Sequence, residues 1–523
     1  MNKEYKLSKR DKKLAIFITI FTVLLLAGIT YTFFAVSVSN TNNEKIQTST
    51  ATMSLVFDDN DNGVSGTLNL GESITKKFTL ENLGTVDTYA KINWVDLVNT
   101  YLPGSLTYNL EQSASENGTY TSIKTGNVPV SNSATTTVLK NGILVPVSAI
   151  YYYKLTITLN NLENVNQNSD INANFHSYFN LQEGSLTGAD TIQNLVAGEP
   201  TNTTDVITKT APNGANCTNT LAYDGTTDNN LRYVGANPCN YVTFNGETAG
   251  WRIVGIMNNV DDGTGNLEAR IKLMRKDSLG LYSWDTSVSG ENGATTNYGI
   301  NDWTQADLKN ELNGDYLDTS LQANTNWYNG YNNQQTGVYD YTKGLSQAAQ
   351  AQIGNTKWYL GGMQSNNADL IPSTMYTKER GTEVWPQGAS YSATCSDGSC
   401  PRATEWTGKV ALIYPSDYGY ATSGGETTNR ATCIGTLSTY NNTSGETWEN
   451  SSYSDCKNND WISTGWALSP NSSNSYRALY VGTDFVDGSS TGYRISVRLA
   501  VYLESSVTIS GGNGTESEPY QIN

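Results

Sequence analysis

Few residues in this chain have types and spacings that do chemistry. The segment Asp58-Asp59-Asn60-Asp61-Asn62-Gly63 opens like a calcium loop, with oxygen ligands at alternate positions (Asp58, Asn60 and Asn62) and a glycine for the turn. An EF-hand needs a bidentate glutamate at the twelfth position, and Asn69 stands there, so an EF-hand is excluded. A non-EF calcium site and a plain acidic hairpin turn both stay open for this segment. No cofactor other than calcium is expected. His176 is the single histidine, so neither a Ser-His-Asp nor a Cys-His site has a candidate base, and it reads as an ordinary half-buried strand residue. Acidic residues are numerous, but no motif selects a pair for glycoside hydrolysis, and no Gly-rich phosphate loop joins a strand to a helix. No catalytic constellation emerges, and an enzyme is not expected.

The six cysteines fall late, at Cys217, Cys239, Cys395, Cys400, Cys433 and Cys456. One histidine and no C-x-x-C pair argue against zinc. In an exported chain an even count reads as a disulfide framework; of the fifteen connectivities, three sequential pairs closing local loops are expected. Aromatics are the remaining lead. With 11 Trp and 33 Tyr the chain is rich in flat rings, which grip sugar faces and partner surfaces. Trp327, Tyr328 and Tyr331 lie in a polar-flanked aromatic loop, and Trp385, Trp406 and Trp448 lie in a long-loop region. As a set these six are the expected ligand surface. The opposing expectation, ring by ring, is that each fills the core beneath the loops.

The elements that must position these residues are mostly strands. Charged residues make up only 15% of the chain, which suits short strands and polar turns better than charged helices. Residues 1–13 carry six basic and two acidic side chains, and the apolar run Leu14–Val36 follows. That run is long enough to cross the roughly 30 Å of a bilayer core as a helix, with the basic tail on the cytoplasmic side and the bulk outside. A cleaved signal peptide ending at Ala35-Val36-Ser37 is the alternative, and it too sends the rest of the chain outward. The net charge of −17 disfavours nucleic acid as a partner. Residues 37–50 read as a stalk. Alternating segments at 53–57, 74–80, 90–94 and 152–159 predict an antiparallel β-sandwich over 51–181. Residues 182–216 read as an interdomain connection with one short helix at 190–196. The region 217–506 opens with strands at 241–244, 251–256 and 269–274. A helix capped by Thr304 and ended by Gly314 follows, then one capped by Ser346 and ended by Gly354. Long loops and closing strands at 466–468, 478–481 and 493–503 complete it, and 507–523 form a tail.

The stretches LRYVGANPCNYVTFNGETAGWRIVGI, IKLMRKDSLGLYSWDTS, NDWTQADLKNELNGDYL, WALSP and SVRLAVYL resemble an uncharacterised domain of Firmicutes surface proteins. That resemblance implies a C-type-lectin-like fold for residues 217–506. The Glu-Pro-Asn or Gln-Pro-Asp and Trp-Asn-Asp triplets of calcium-dependent lectins are absent, and the cysteines do not fit the motif of formylglycine-generating relatives. Neither activity is carried over. The stretch LNLGESITKKFTLENLGTVDTYAKINW, after an apolar segment ending GITYTFFA, is similar to camelysin-like matrix proteins. The expected fold class is therefore mainly β with an α+β head: a transmembrane helix, an antiparallel β-sandwich, then a C-type-lectin-like domain. The expected function is a membrane-anchored, adhesin-like surface protein that binds an extracellular glycan or protein. A biofilm-matrix or fibre subunit and an extracellular enzyme acting on carbohydrate are the alternatives.

Overall fold

The computed structural model describes residues 55–58, 64–65, 68–162, 166–292, 294–318, 326–328, 335–338, 344–365, 369–385, 402–436, 448, 452–483 and 485–523. The apolar run at 14–36 lies outside the described residues, among which no helix is long and apolar enough to cross a membrane. The protein is mainly β, with 40% strand against 13% helix. The chain divides into two compact units, Met1–Ser185 and Leu186–Asn523.

The first unit is built from nine strands: β1 (Leu55–Asp58), β2 (Val64–Ser65), β3 (Ser73–Asn82), β4 (Thr88–Asn99), β5 (Leu106–Ser113), β6 (Thr121–Asn127), β7 (Ser131–Val145), β8 (Ile150–Leu159) and β9 (Phe175–Glu183). They form two antiparallel sheets, in orders β1-β3-β8-β5-β6 and β2-β9-β4-β7. Alternation puts Phe78 and Leu80 of one sheet and Ala90, Ile92 and Trp94 of the other into one core. Rings bridge the sheets, with Phe78 at 5.9 Å from Phe179 and Trp94 at 5.7 Å from Tyr108. Strict alternation would turn Leu97 outward. A register shift after Trp94, with Asp96 at φ +51°, turns it inward instead. His176 is exposed rather than half-buried, because this register gives the inner positions of β9 to Phe175, Ser177 and Phe179.

In the second unit the central sheet begins with β10 (Ile207–Lys209), β11 (Asn219–Tyr223), β12 (Leu231–Tyr233), β13 (Tyr241–Phe244), the long β14 (Glu247–Asp261) and β15 (Leu267–Arg275). The shorter strands that follow are β16 (Leu281–Tyr282), β17 (Asn326–Tyr328), β18 (Gln335–Val338), β19 (Thr356–Tyr359), β20 (Glu405–Gly408) and β21 (Val410–Leu412). The chain closes with β22 (Gly465–Pro470), β23 (Arg477–Val481), β24 (Val486–Ser490), β25 (Ile495–Ser496), β26 (Leu499–Tyr502), β27 (Ile509–Gly511) and β28 (Tyr520–Ile522). The main sheet runs β10-β11-β12-β14-β13-β28-β27, with β15, β26 and β21 continuing it from β14. A separate sheet, β22-β23-β24, carries the loops described below. Helices α1 (Gly188–Asn194), α2 (Asp307–Asn313), α3 (Gln347–Gln352), α4 (Pro372–Glu379), α5 (Pro415–Tyr420) and α6 (Arg430–Ile434) are all short.

Several elements differ from expectation. Residues 182–216 hold α1 and β10 inside this unit: Thr187 and Asp190 cap α1 reciprocally, and Ile192, Val196 and Ile207 join the core. The C-terminal segment supplies β27 and β28, the latter parallel to β13. Thr304 does not cap α2. Asp302 accepts both its N–H (3.0 Å) and its hydroxyl (2.6 Å), which makes an Asx turn, and the helix starts at Asp307. Ser346 does cap α3, accepting the Ala349 N–H at 3.2 Å. Cys217–Cys239 and Cys433–Cys456 are disulfides, with Cα separations of 5.1 and 5.6 Å. Cys395 and Cys400 lie outside the described residues.

Candidate functional site

Three connections of the second unit are hydrogen-bonded to one another: residues 286–301, the β22–β23 turn and the β24–β25 turn. Asp285, fully buried, closes the first of these. One carboxylate oxygen accepts the N–H groups of Ser287 (2.9 Å) and Ile300 (2.8 Å), at opposite ends of the loop. Asp307, at the start of α2, accepts the N–H (2.9 Å) and hydroxyl (2.6 Å) of Thr286. Burial, then the neighbouring Asp307, pushes the Asp285 carboxyl up; burial does the same to Asp307. Gly299 holds φ at +86°, and a Cβ there would overlap the Asp285 carbonyl and the Thr491 hydroxyl.

Asn301 then pins the loop to its neighbours. Its buried amide donates to the carbonyls of Asn471 (3.0 Å), Asn474 (2.7 Å) and Arg477 (2.9 Å), and its N–H to that of Ser475 (3.0 Å). Arg402 donates to the Asn301 side-chain oxygen and to the Ser475 carbonyl, each at 3.3 Å. Tyr298 is tied down through its carbonyl, which accepts the Gly492 N–H at 2.8 Å and the Thr491 hydroxyl at 2.9 Å, while the Thr491 N–H donates to Tyr476 at 2.9 Å.

This framework displays three tyrosines. Tyr298 and Tyr493 are 43% and 48% exposed, and the half-buried Tyr476 lies 5.4 Å from Tyr298. Thr295, Asn297 and Arg494 are exposed near them in sequence, and Asn474 is half-buried. Flat rings on an immobilised backbone with polar neighbours suit a ligand that has both apolar faces and hydroxyls, because little conformational entropy is lost on binding.

Of the six aromatic residues expected from sequence, the side chains of Trp385, Trp406 and Trp448 are described. Trp385 is half-buried, and its carbonyl accepts the Arg402 N–H at 2.9 Å. Trp406 is half-buried on β20, opposite Trp358 and 6.2 Å edge-on to Trp303. Trp448 is fully buried, 5.8 Å from Tyr418, and its indole N–H donates to the Cys433 carbonyl at 3.0 Å. Its fully buried ring presents no surface to a ligand. Trp327 and Tyr328 form β17, whose side chains lie outside the description, as does Tyr331 entirely. Of the expected calcium ligands, Asp58 ends β1, and Asn60 and Asn62 lie outside the described residues. Sequence reasoning missed Tyr298, Tyr476 and Tyr493. Each stands among turn formers (Asn297-Tyr298-Gly299, Asn474-Ser475-Tyr476, Gly492-Tyr493), and that pattern was the available signal.

A buried ionic cluster elsewhere is chemically suggestive but saturated. Arg232 bonds Asp224 (2.8 Å) and Asp417 (2.7 Å), and Lys272 bonds Asp417 at 2.6 Å among the rings of Trp358, Tyr414 and Tyr502. Burial pushes the Asp417 carboxyl up, but Lys272 and Arg232 outweigh it and hold it at about 2. With every charge matched, the cluster joins β12, β15 and α5 as a strut.

No protein-family model and no curated protein matches the chain. Among solved structures, that of TmCBM61 in complex with β-1,4-galactotriose is similar over 26% of this chain and 89% of that one, at 10% identity and a TM-score of 0.15. A likeness that small carries no argument about fold or function.

Proposed function

We propose that the protein is a membrane-anchored, adhesin-like bacterial surface protein whose second unit, a C-type-lectin-like head, binds a glycan through the loop face of Tyr298, Tyr476 and Tyr493. Trp385 is tied through its carbonyl to Arg402, which also bonds Asn301. The observation that carries the reading is a fully buried brace, Asn301 and Asp285, beneath the two loops that bear the exposed Tyr298 and the half-buried Tyr476. Two disulfides in the same unit fit an oxidising, extracellular setting. The apolar run at 14–36 with its basic flank supplies the single-pass anchor in this reading.

A glycan array probed with the purified, oxidised full chain, with and without EDTA, tests it. Selective binding that survives EDTA and disappears in the Tyr298→Ala/Tyr476→Ala double variant is expected. Binding that the double variant retains would remove the loop face from the account.

A further inference from the structure

Surface turns are ordinarily built from polar residues and glycine. Two turns at one end of the first unit are not. Residues 82–88, spanning the β3–β4 turn, read NLGTVDT, and residues 144–150, spanning the β7–β8 turn, read LVPVSAI; Asp87 is the one ionisable side chain in either. Leu83, Val86, Leu144, Val147 and Ile150 are 39–50% exposed. Hydrogen bonds hold the two turns side by side. The buried Asn82 amide donates to the carbonyls of Val86 (2.9 Å) and Val145 (2.8 Å), and its side-chain oxygen accepts the Gly84 N–H at 2.8 Å. The Asn82 carbonyl accepts the Ser148 N–H at 3.1 Å, and the Asp87 carboxylate accepts the Val147 N–H at 2.8 Å. Apolar residues exposed singly need no explanation, but five on two bonded turns form a patch that calls for a partner.

We propose that this end of the first unit docks on the lipid bilayer, its apolar side chains entering the boundary between headgroups and acyl chains. The inference rests on the anchored reading and goes beyond it by naming the surface that meets the membrane. The point where the chain enters decides the occupant. β1 runs antiparallel to β3 with Leu55 opposite Asn82, so the chain arrives from its N-terminal side at this end, and the 18 residues 37–54 separate Leu55 from the apolar run at 14–36. At full extension 18 residues reach about 60 Å, so a chain anchored by that run keeps this end within that distance of the bilayer. A tethered contact is intramolecular, and a patch too small to hold lipid from free solution then suffices. The patch carries one carboxylate, already hydrogen-bonded, and no cation for anionic headgroups. Burial of apolar surface is therefore the driving force, and the contact tolerates salt.

The opposite end of the same unit supplies the control. Ile171 is 75% exposed and follows Asp170, whose carboxylate accepts the Leu102 N–H at 2.8 Å beyond the end of β4. Val147→Cys and Ile171→Cys, each carrying a nitrobenzoxadiazole label, are reconstituted as full chains into phosphatidylcholine vesicles. The wild type, whose described cysteines are all in disulfides, is the labelling blank. Flotation first reports whether the chain is anchored. In floated vesicles the label at 147 is expected to emit to the blue of the label at 171. It should lose emission to a nitroxide carried on a shallow acyl carbon of the lipid and little to iodide in the water, with the reverse at 171 and no change on adding salt. Equal quenching by the lipid nitroxide at both positions would overturn the docking and leave the anchor intact. The chain also leaves the first unit at this end, where the Gly184 N–H donates to the Tyr89 carbonyl at 2.8 Å. A label at 147 shielded from both quenchers would therefore mean that protein covers the patch, and would overturn the docking too. A chain that does not float would end the anchored reading and this proposal with it.

Discussion

Replacing Asn301 by alanine is the sharpest probe of whether the tyrosine face is braced from below. Its amide carries two hydrogens and serves three carbonyls. After truncation the Arg477 carbonyl keeps a donor, the Asn471 N–H at 2.9 Å. The Asn471 and Asn474 carbonyls lose theirs, and the Arg402 guanidinium loses an acceptor. Orphaned buried acceptors cost about 1–3 kcal/mol each, which gives about 2–6 kcal/mol for two. Asn474 is half-buried and water can replace part of its loss, so a value of about 3 kcal/mol is expected. Urea unfolding followed by tryptophan fluorescence reads the second unit selectively, since Trp94 alone of the 11 tryptophans lies in the first. Tyr298→Ala, which removes an exposed ring, is the control and should cost about 1 kcal/mol or less. If Asn301→Ala proves no more destabilising than Tyr298→Ala, the face is not held from beneath and the preorganisation argument fails.

Three further outcomes follow from the same structure. Asp417→Asn removes the charge shared by Arg232 and Lys272 and should cost about 3–5 kcal/mol in urea at pH 7. Because the native Asp417 pKa is depressed to about 2, its stabilisation is present above 3.8 and is lost as pH falls towards 2; acid titration of the variant should lack that limb. Glu311 runs the other way. Its native pKa is raised from 4.5 to about 9, so stability falls as pH rises between these values, by at most about 1.4 kcal/mol per unit, and urea midpoints at pH 5 and 8 should converge in Glu311→Gln. Replacing Cys433 and Cys456 by serine opens a link between residues 23 apart, for which chain entropy gives about 3 kcal/mol, measurable as a lower urea midpoint under oxidising conditions.

The strand content of the first unit was legible because a half-buried strand writes its burial as alternation, as at Phe78, Leu80, Ala90, Ile92 and Trp94. What alternation could not reveal was the register shift at Asp96, which depends on one left-handed residue. Local disulfides were equally readable, since Cys217–Cys239 and Cys433–Cys456 close short loops. In the second unit, α4 and α5 went unread although Pro372 and Pro415 stand at their first turns, where proline favours a helix start; each helix is too short to show a period. Size draws Trp448 into the core, whereas smaller rings with a polar tip, Tyr298 and Tyr493, stay at the surface. Asn301 and Asp285 carry no local signature at all, because their partners lie up to 176 residues away in sequence.

The central claim is tested most directly by the dissociation constant of an array-selected oligosaccharide for the wild type and for Tyr298→Ala, Tyr476→Ala and Tyr493→Ala, measured by calorimetry. Stacking contributions of about 0.5–1.5 kcal/mol per ring predict that each single variant weakens binding by roughly 2- to 13-fold while the unfolding midpoint barely moves. Unchanged affinity in all three variants would contradict the account and move the ligand surface elsewhere.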